Sequence, residues 1–314
     1  MASIQAKEIE KAEARIQGYI HHTPTFSSSG IDKILGCNIL FKCENLQRIG
    51  AFKARGAFNF ALQLSEAERR NGICTHSSGN HAQAIALAAK TLGIPAYIVM
   101  PETAPQVKVA AVQEYGAKIT FCEPTLQARE STLEEIQEKT GAFFIPPYDH
   151  PWIIAGQATA AKEMLEVFSP DVIITPVGGG GLLAGSALSA HYFGNNVKVY
   201  GAEPLGADDA KRSFDSEVWV PSKNPDTIAD GLLTSLGQTN FKIIQERVSD
   251  IITTSDDTIK KAMLLIWERL KLVVEPSAAV PLAAIMDNPE VVQGKKVGII
   301  LSGGNLDLKK WSFV

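Results

Sequence analysis

The chain has 314 residues, 45% of them hydrophobic and 20% charged, with a formal net charge of −4 at pH 7 and a sequence pI near 5.9. That length supports a substantial buried core and about two domains, and the mild acidity, with no basic block, gives no electrostatic basis for binding nucleic acid or an anionic membrane. No apolar run approaches a membrane span, and MASIQAKEIEKAEARIQGY carries charges where a signal peptide needs an apolar stretch, so a cytoplasmic protein is expected.

Strand-like and helix-like runs alternate along the chain. NILFKCE precedes a helical stretch over 57–70, GICTHSS precedes one over 81–92, AYIVMP one over 107–115, and KITFCE one over 127–140. PPYDHP at 146–151 reads as a rigid turn, after which DVIITPV, KVYGAE, IITTS and VGIILS continue the rhythm. The alternation predicts an α/β protein of mainly parallel twisted sheets flanked by helices, with ligands at the carboxyl ends of the strands. Cys37, Cys43, Cys74 and Cys122 lack the spacing of a zinc or redox motif and are expected as free, partly buried thiols. No regulatory extension is expected beyond LSGGNLD at 301–307.

Lys53 lies in IGAFKARGA, among small and apolar residues. Desolvation there would disfavour its ammonium form, making it a nucleophile toward an aldehyde and a base at a carbon acid. Ser77-Ser78-Gly79-Asn80-His81 falls between a strand and a helix, where hydroxyls and amides converge on an anion; an ordinary serine N-cap explains the same residues. In DVIITPVGGGGLLA a β-branched run stops at Gly178, Gly179, Gly180 and Gly181, and a helix-like stretch follows. This is a phosphate cradle, since glycine permits positive φ and lets backbone N–H groups approach an anion at a helix start. Two ligands suit it. A dinucleotide matches the pattern through Ala184, with Glu203 near the place of a ribose-binding acid; a single phosphate, as in pyridoxal 5′-phosphate, would also require a lysine. Glu203 and Asp209, with the Ala207 carbonyl between them, could meet on one hard cation, or form a solvated acidic turn.

GAFKARGA, SSGNHAQA, GGGGLLAG, AEPLGADD, ADG at 229–231 and LSGGNLD together resemble the serine racemase and serine/threonine dehydratase branch of the fold-type II pyridoxal-phosphate (PLP) enzymes, from HHTP at 21–24 through Asp307. The resemblance implies two domains, a large one at 1–71 and 150–314 and a small mobile one at 72–149, with PLP in the cleft between them. It implies that Lys53 bonds the cofactor, Phe52 packs beside its ring, Gly178 to Gly181 and Leu182 hold its phosphate, Asn80 meets its 3′-oxygen and Ser302 its pyridine nitrogen. A neutral hydroxyl at that nitrogen cannot hold a pyridinium as an aspartate would.

Ser77, Asn80 and His81 would hold the substrate carboxylate, and Ser78 would face the α-carbon opposite Lys53, so that proton transfer on both faces and β-elimination are both open. Thr234 would meet the substrate hydroxyl or carboxylate. Arg129 would reach the substrate or pair with an acid on its own helix, the commoner arrangement. Glu203, Ala207 and Asp209 would hold Mg²⁺, Ca²⁺ or Mn²⁺. Ser28, Ser29, Arg48, Gln83, Lys108 and Tyr115 stand where some relatives bind ATP, though Arg48 replaces a lysine. A homodimer acting on a small amino acid is implied: a serine racemase with L-serine/L-threonine dehydratase activity. GAFK and PPYDHP resemble hydroxyaspartate dehydratases of the same branch and keep that substrate open. A dinucleotide-binding Rossmann protein and a catalytically idle PLP-binding protein are the alternatives of other classes.

Overall fold

The computed structural model describes residues 4–104 and 106–310. In chain order the elements are α1 (Ala6–Ile16), β1 (Thr25–Phe26), α2 (Ser29–Leu35), β2 (Asn38–Cys43), α3 (Lys53–Ala61), α4 (Glu66–Arg70), β3 (Ile73–His76), α5 (Asn80–Leu92), β4 (Ala96–Pro101), α6 (Gln106–Glu114), β5 (Lys118–Cys122), α7 (Leu126–Thr140) and β6 (Phe143–Phe144). They continue with α8 (Pro151–Val167), β7 (Val172–Pro176), α9 (Gly181–Phe193), β8 (Lys198–Pro204), α10 (Asp209–Ser216), α11 (Gln238–Arg247), β9 (Asp250–Thr254), α12 (Asp256–Leu270), α13 (Pro276–Asp287) and β10 (Lys296–Leu301).

Two sheets result. One has six strands in the order β1-β2-β10-β7-β8-β9, parallel except for β1, and the other has four parallel strands in the order β5-β4-β3-β6. Every residue of β7 is buried, the signature of a parallel strand covered on both faces. One face of the six-stranded sheet packs on α2, α12 and α13 through Ile31, Ile266 and Leu282, the other on α1, α8 and α9 through Ile9, Ile154 and Leu183. Because β2, β10, β7 and β8 are neighbours, their carboxyl ends bring the segments after Cys43, Leu301, Pro176 and Pro204 to one edge of the sheet. The segment after β3 enters from the other sheet.

The helix expected over 57–70 is two helices, α3 starting earlier at Lys53 and α4 after a break. Ser65 accepts the Glu68 amide while the Glu68 carboxylate accepts the Ser65 amide, a capping box that starts α4 afresh. Gly56 of α3 meets Gly156 of α8 so closely that a Cβ on Gly156 would lie 2.7 Å from the Gly56 Cα. Beside that contact a wholly buried ionic network joins β2, α3 and α8. Arg55 donates to Glu44 at 2.7 and 2.8 Å, to Glu163 at 2.7 and 2.8 Å, and to Thr159 at 3.0 Å; Lys42 donates to Glu163 at 2.6 Å and to the Thr23 carbonyl at 2.7 Å. Two cations face two carboxylates with their donors occupied, the condition under which buried charge is tolerated.

Candidate active site

Lys53 is the first residue of α3, and its Nζ donates to the Pro147 carbonyl at 2.7 Å and lies 5.2 Å from the Phe52 ring centroid. Burial pulls its pKa down to about 8, with the nearby Glu275 charge opposing. The loop before it is held in an uncommon shape, Ile49 adopting φ 58°, and Asn305 Nδ2 donates to the Ile49 carbonyl at 2.7 Å. The Phe52 amide donates to the Ser302 carbonyl at 3.0 Å and the Gly304 amide to the Gly50 carbonyl at 2.9 Å. Lys53 and the buried Ser302 therefore sit on two loops stitched together by backbone hydrogen bonds.

The glycine loop follows β7. Gly180 takes φ 87°, and α9 begins at Gly181 with its first amides directed at the loop. Asn240 Nδ2 donates to the Gly179 carbonyl at 2.6 Å and the Gly237 amide to the same oxygen at 3.1 Å. With that acceptor satisfied from behind, the loop offers N–H groups to an anion.

From the other sheet, Ser77 and Ser78 lead into α5. Asn80 ties this element to both loops: its Oδ1 accepts from Asn305 Nδ2 at 2.8 Å, and its Nδ2 donates to Glu275 Oε1 at 2.8 Å. His81 is buried, and its Nε2 lies 3.1 Å from the Ile145 carbonyl, so that nitrogen carries the proton. Burial, then Lys53, depress its pKa to about 3. A neutral ring with an unpartnered Nδ1 lone pair offers a carboxylate nothing. The His81 backbone amide lies in the first turn of α5.

Thr234 lies 3.0 Å, hydroxyl to hydroxyl, from Tyr148. Arg129 makes no ion pair among the described residues; its Nε donates to the Thr125 carbonyl at 3.3 Å, burial and then the Arg129 charge depress His76, and on Tyr148, which burial raises, Arg129 acts in the opposing direction. The intrahelical pairing expected for it is thus not formed. Glu203 is not a ribose acid. Its carboxylate is buried and accepts the Ala210 and Lys211 amides at 3.1 and 2.8 Å, pointing into the start of α10. Asp209 Oδ2 accepts the Leu236 amide at 2.9 Å, and its Oδ1 is buried without a partner.

Of the residues expected around a nucleotide, Ser28 caps α2 and Gln83 is buried in α5. Arg48 acts electrostatically on Tyr115, and Lys108 pairs with Asp230. Two residues of the cleft escape sequence reasoning. Glu275 is 3% exposed and its carboxyl is raised to about 7 by burial and by Asp230; its one signal is an acid before proline inside the apolar run VVEPSAAVP. Tyr148 lies inside a segment that reads only as a turn.

Residues 16–303 match the family described as "Pyridoxal-phosphate dependent enzyme". The chain belongs to this family. It is 48% identical to a serine racemase of Dictyostelium discoideum, over 99% of this chain and 98% of that protein, and 46% identical to a beta-hydroxyaspartate dehydratase of Paracoccus denitrificans, over 95% of each. Among solved structures it resembles maize serine racemase, with a TM-score of 0.96, 42% identity, and coverage of 98% of this chain and 95% of that one. The fold is therefore that of the fold-type II enzymes, and the dinucleotide alternative is set aside, both by the family and by the place of Glu203.

The residues suit pyridoxal phosphate. A Cβ at Gly179 would lie 2.2 Å from the Tyr148 ring and one at Gly180 2.5 Å from Leu236, so these two positions admit only glycine, and the Lys53 amine, whose proton is easily lost, stands 5.9 Å from the centroid of that same Tyr148 ring. Of the carboxylates expected around a cation, only Asp209 has an open acceptor. No cluster of three or more His, Cys, Asp or Glu side chains that could hold a metal occurs among the described residues. Yet Glu203 is raised well above the ordinary carboxylate range and Asp209 to about 6, burial leading in both, and the unpartnered Asp209 Oδ1 is a donor atom for a cation.

Proposed function

We propose that the protein is a PLP-dependent serine racemase with L-serine and L-threonine dehydratase (ammonia-lyase) activity, giving 2-oxo acid and ammonia. The observation that carries this is the convergence of Lys53, the Ser77–Asn80 turn and Ser302 on one cleft beside a glycine phosphate cradle. Pyridoxal phosphate, when bound, supplies an electron sink that makes the α-proton of an attached amino acid acidic. Gly178 to Gly181 and Leu182 would hold its phosphate, Phe52 would flank its ring, Asn80 and Ser302 would meet its polar ring atoms, and Lys53 would bond it. Displaced by the substrate's amine, Lys53 becomes a free base that would take the α-proton. Ser78 returns a proton on the opposite face, which inverts the centre; departure of the β-hydroxyl instead commits the substrate to elimination. Ser77, Asn80 and the His81 amide hold the carboxylate. A small domain at 72–149, carrying these groups, closes on a large one at 1–71 and 150–314 and excludes water.

The test is the visible absorbance of the purified protein with D-serine and pyruvate quantified from L-serine, beside Lys53→Ala. A lysine-bound cofactor band that vanishes in the variant, with both products from the parent and turnover lowered about 10³-fold, is expected. A band without products overturns the substrate assignment.

A second reading, 3-hydroxyaspartate dehydratase, is favoured by Arg129, a cation without an ion-pair partner within electrostatic reach of Tyr148. It suits a second carboxylate. Comparing serine, threonine and both hydroxyaspartate diastereomers decides between the two.

The proposal extends to Mg²⁺ (or Ca²⁺ or Mn²⁺) on Glu203, Asp209 and the Ala207 carbonyl, in a stabilising role away from the reacting atoms. ATP at Ser28, Ser29, Arg48, Gln83, Lys108 and Tyr115 is supported by the buried, unpartnered Arg48 Nε. MgATP that leaves turnover unchanged at fixed free Mg²⁺ removes it. We assign a homodimer, tested by light scattering, and a cytoplasmic location; among the described residues no helix is long and apolar enough to cross a membrane.

A further inference from the structure

Tyr148 has no part in holding cofactor, metal or carboxylate in the chemistry above. Its ring occupies the space a side chain at Gly179 would need, 2.2 Å from an added Cβ. Lys53 Nζ stands 5.9 Å from the ring centroid and is hydrogen-bonded to the carbonyl of the preceding residue, Pro147. The ring therefore borders both the glycine loop and the lysine. Its hydroxyl is fixed by Thr234 at 3.0 Å.

Burial raises the phenol's pKa, with the Thr234 hydrogen bond opposing, so the side chain stays protonated at neutral pH. Two paired hydroxyls own two protons and use one between them. Whichever donates, the pair keeps one free proton for a third group. A site built around such a donor discriminates against ligands that lack the matching oxygen.

We propose that Tyr148, held by Thr234, is a specificity-determining residue that hydrogen-bonds the hydroxyl on the substrate's β-carbon. This rests on the reading above that the substrate is a β-hydroxy amino acid. The contact retains β-hydroxy substrates over unsubstituted ones and favours departure of the hydroxyl over return of the α-proton.

Malate is 3-hydroxyaspartate without its amine, and succinate lacks the hydroxyl as well; neither can react. Their dissociation constants, measured by titration calorimetry on the cofactor-loaded parent, Tyr148→Phe and Thr234→Val, isolate the hydroxyl contact. The parent is expected to bind one malate enantiomer about tenfold more tightly than succinate. Both variants should narrow that gap to about twofold or less, with succinate affinity changed by less than about twofold. With L-serine, the ratio of elimination to racemisation should fall about tenfold in Tyr148→Phe.

A parent that does not distinguish malate from succinate overturns the proposal. So does a preference that survives in both variants, or a fall in elimination, racemisation and succinate binding together, which would make Tyr148 a packing residue. Failure of the functional reading is separate: a parent that turns over no β-hydroxy amino acid sinks the reaction, while loss of the malate preference in Tyr148→Phe would still establish the contact.

Discussion

Lys53 and Glu275 respond to the same burial in opposite senses, and each has a consequence in pH. Only the neutral amine attacks an aldehyde, so uptake of pyridoxal phosphate by cofactor-stripped protein should accelerate as pH rises through about 8 and then level off, a profile read by stopped-flow absorbance. Glu275 keeps its proton to about pH 7 in the fold but ionises near 4.5 when unfolded. Between those values the folded state binds more protons, so this group's contribution is full below about 4.5, declines as pH rises, and is lost above about 7. Glu275→Gln should flatten that part of the stability profile, measured as urea midpoints at pH 5 and 7.5. Ser78→Ala should reduce racemisation at least about tenfold more than elimination, because only racemisation needs a proton carrier on the second face. Equal losses would remove Ser78 from that role.

At the scale of elements, the strand-to-helix junctions carry both the site and its rigidity. Arg55 follows Lys53 by two residues on α3, and its network locks that helix to β2 and α8. Arg55→Ala would leave the buried Glu44 without a cation and Glu163 with Lys42 alone, and should cost about 3–5 kcal/mol in denaturant unfolding; a change below about 1 kcal/mol would show that the network contributes little. At the junction of β8 and α10, burial raises the carboxyls of both Glu203 and Asp209. Chelation of divalent cations should lower the thermal midpoint by several degrees, readdition of Mg²⁺ should restore it, and Asp209→Asn should be insensitive to both.

For the whole molecule, the two sheets share no strand, and side-chain contacts link the elements around them. Lys108 pairs with Asp230, and Asn80 reaches both Glu275 and Asn305. Asp230→Asn should raise amide hydrogen exchange in α5 and α6 while leaving β7 and β10 protected; unchanged exchange would mean that the pair does not hold the cleft. Much of this architecture was legible in the chain. β-Branched runs such as DVIITPV have the period and burial of parallel strands, and the run of four glycines answers to a backbone that takes φ 87° at Gly180 and leaves no room for a side chain at Gly179. The two-residue strands β1 and β6 were not legible, being too short to carry a period. Neither was the break between α3 and α4, where local capping overrides a continuous helical pattern. Sequence by itself determined the chemistry on offer: an amine in apolar surroundings, an anion cradle and a run of hydroxyls at a helix start, each set by neighbours within a few residues. Tertiary structure alone decided that Glu275 meets Asn80, that Tyr148 meets Thr234, that the His81 ring is buried against the Ile145 carbonyl, and that Arg129 makes no ion pair among the described residues. Those outcomes depend on contacts between residues as far apart as Asn80 and Glu275, and on burial, which no local pattern encodes.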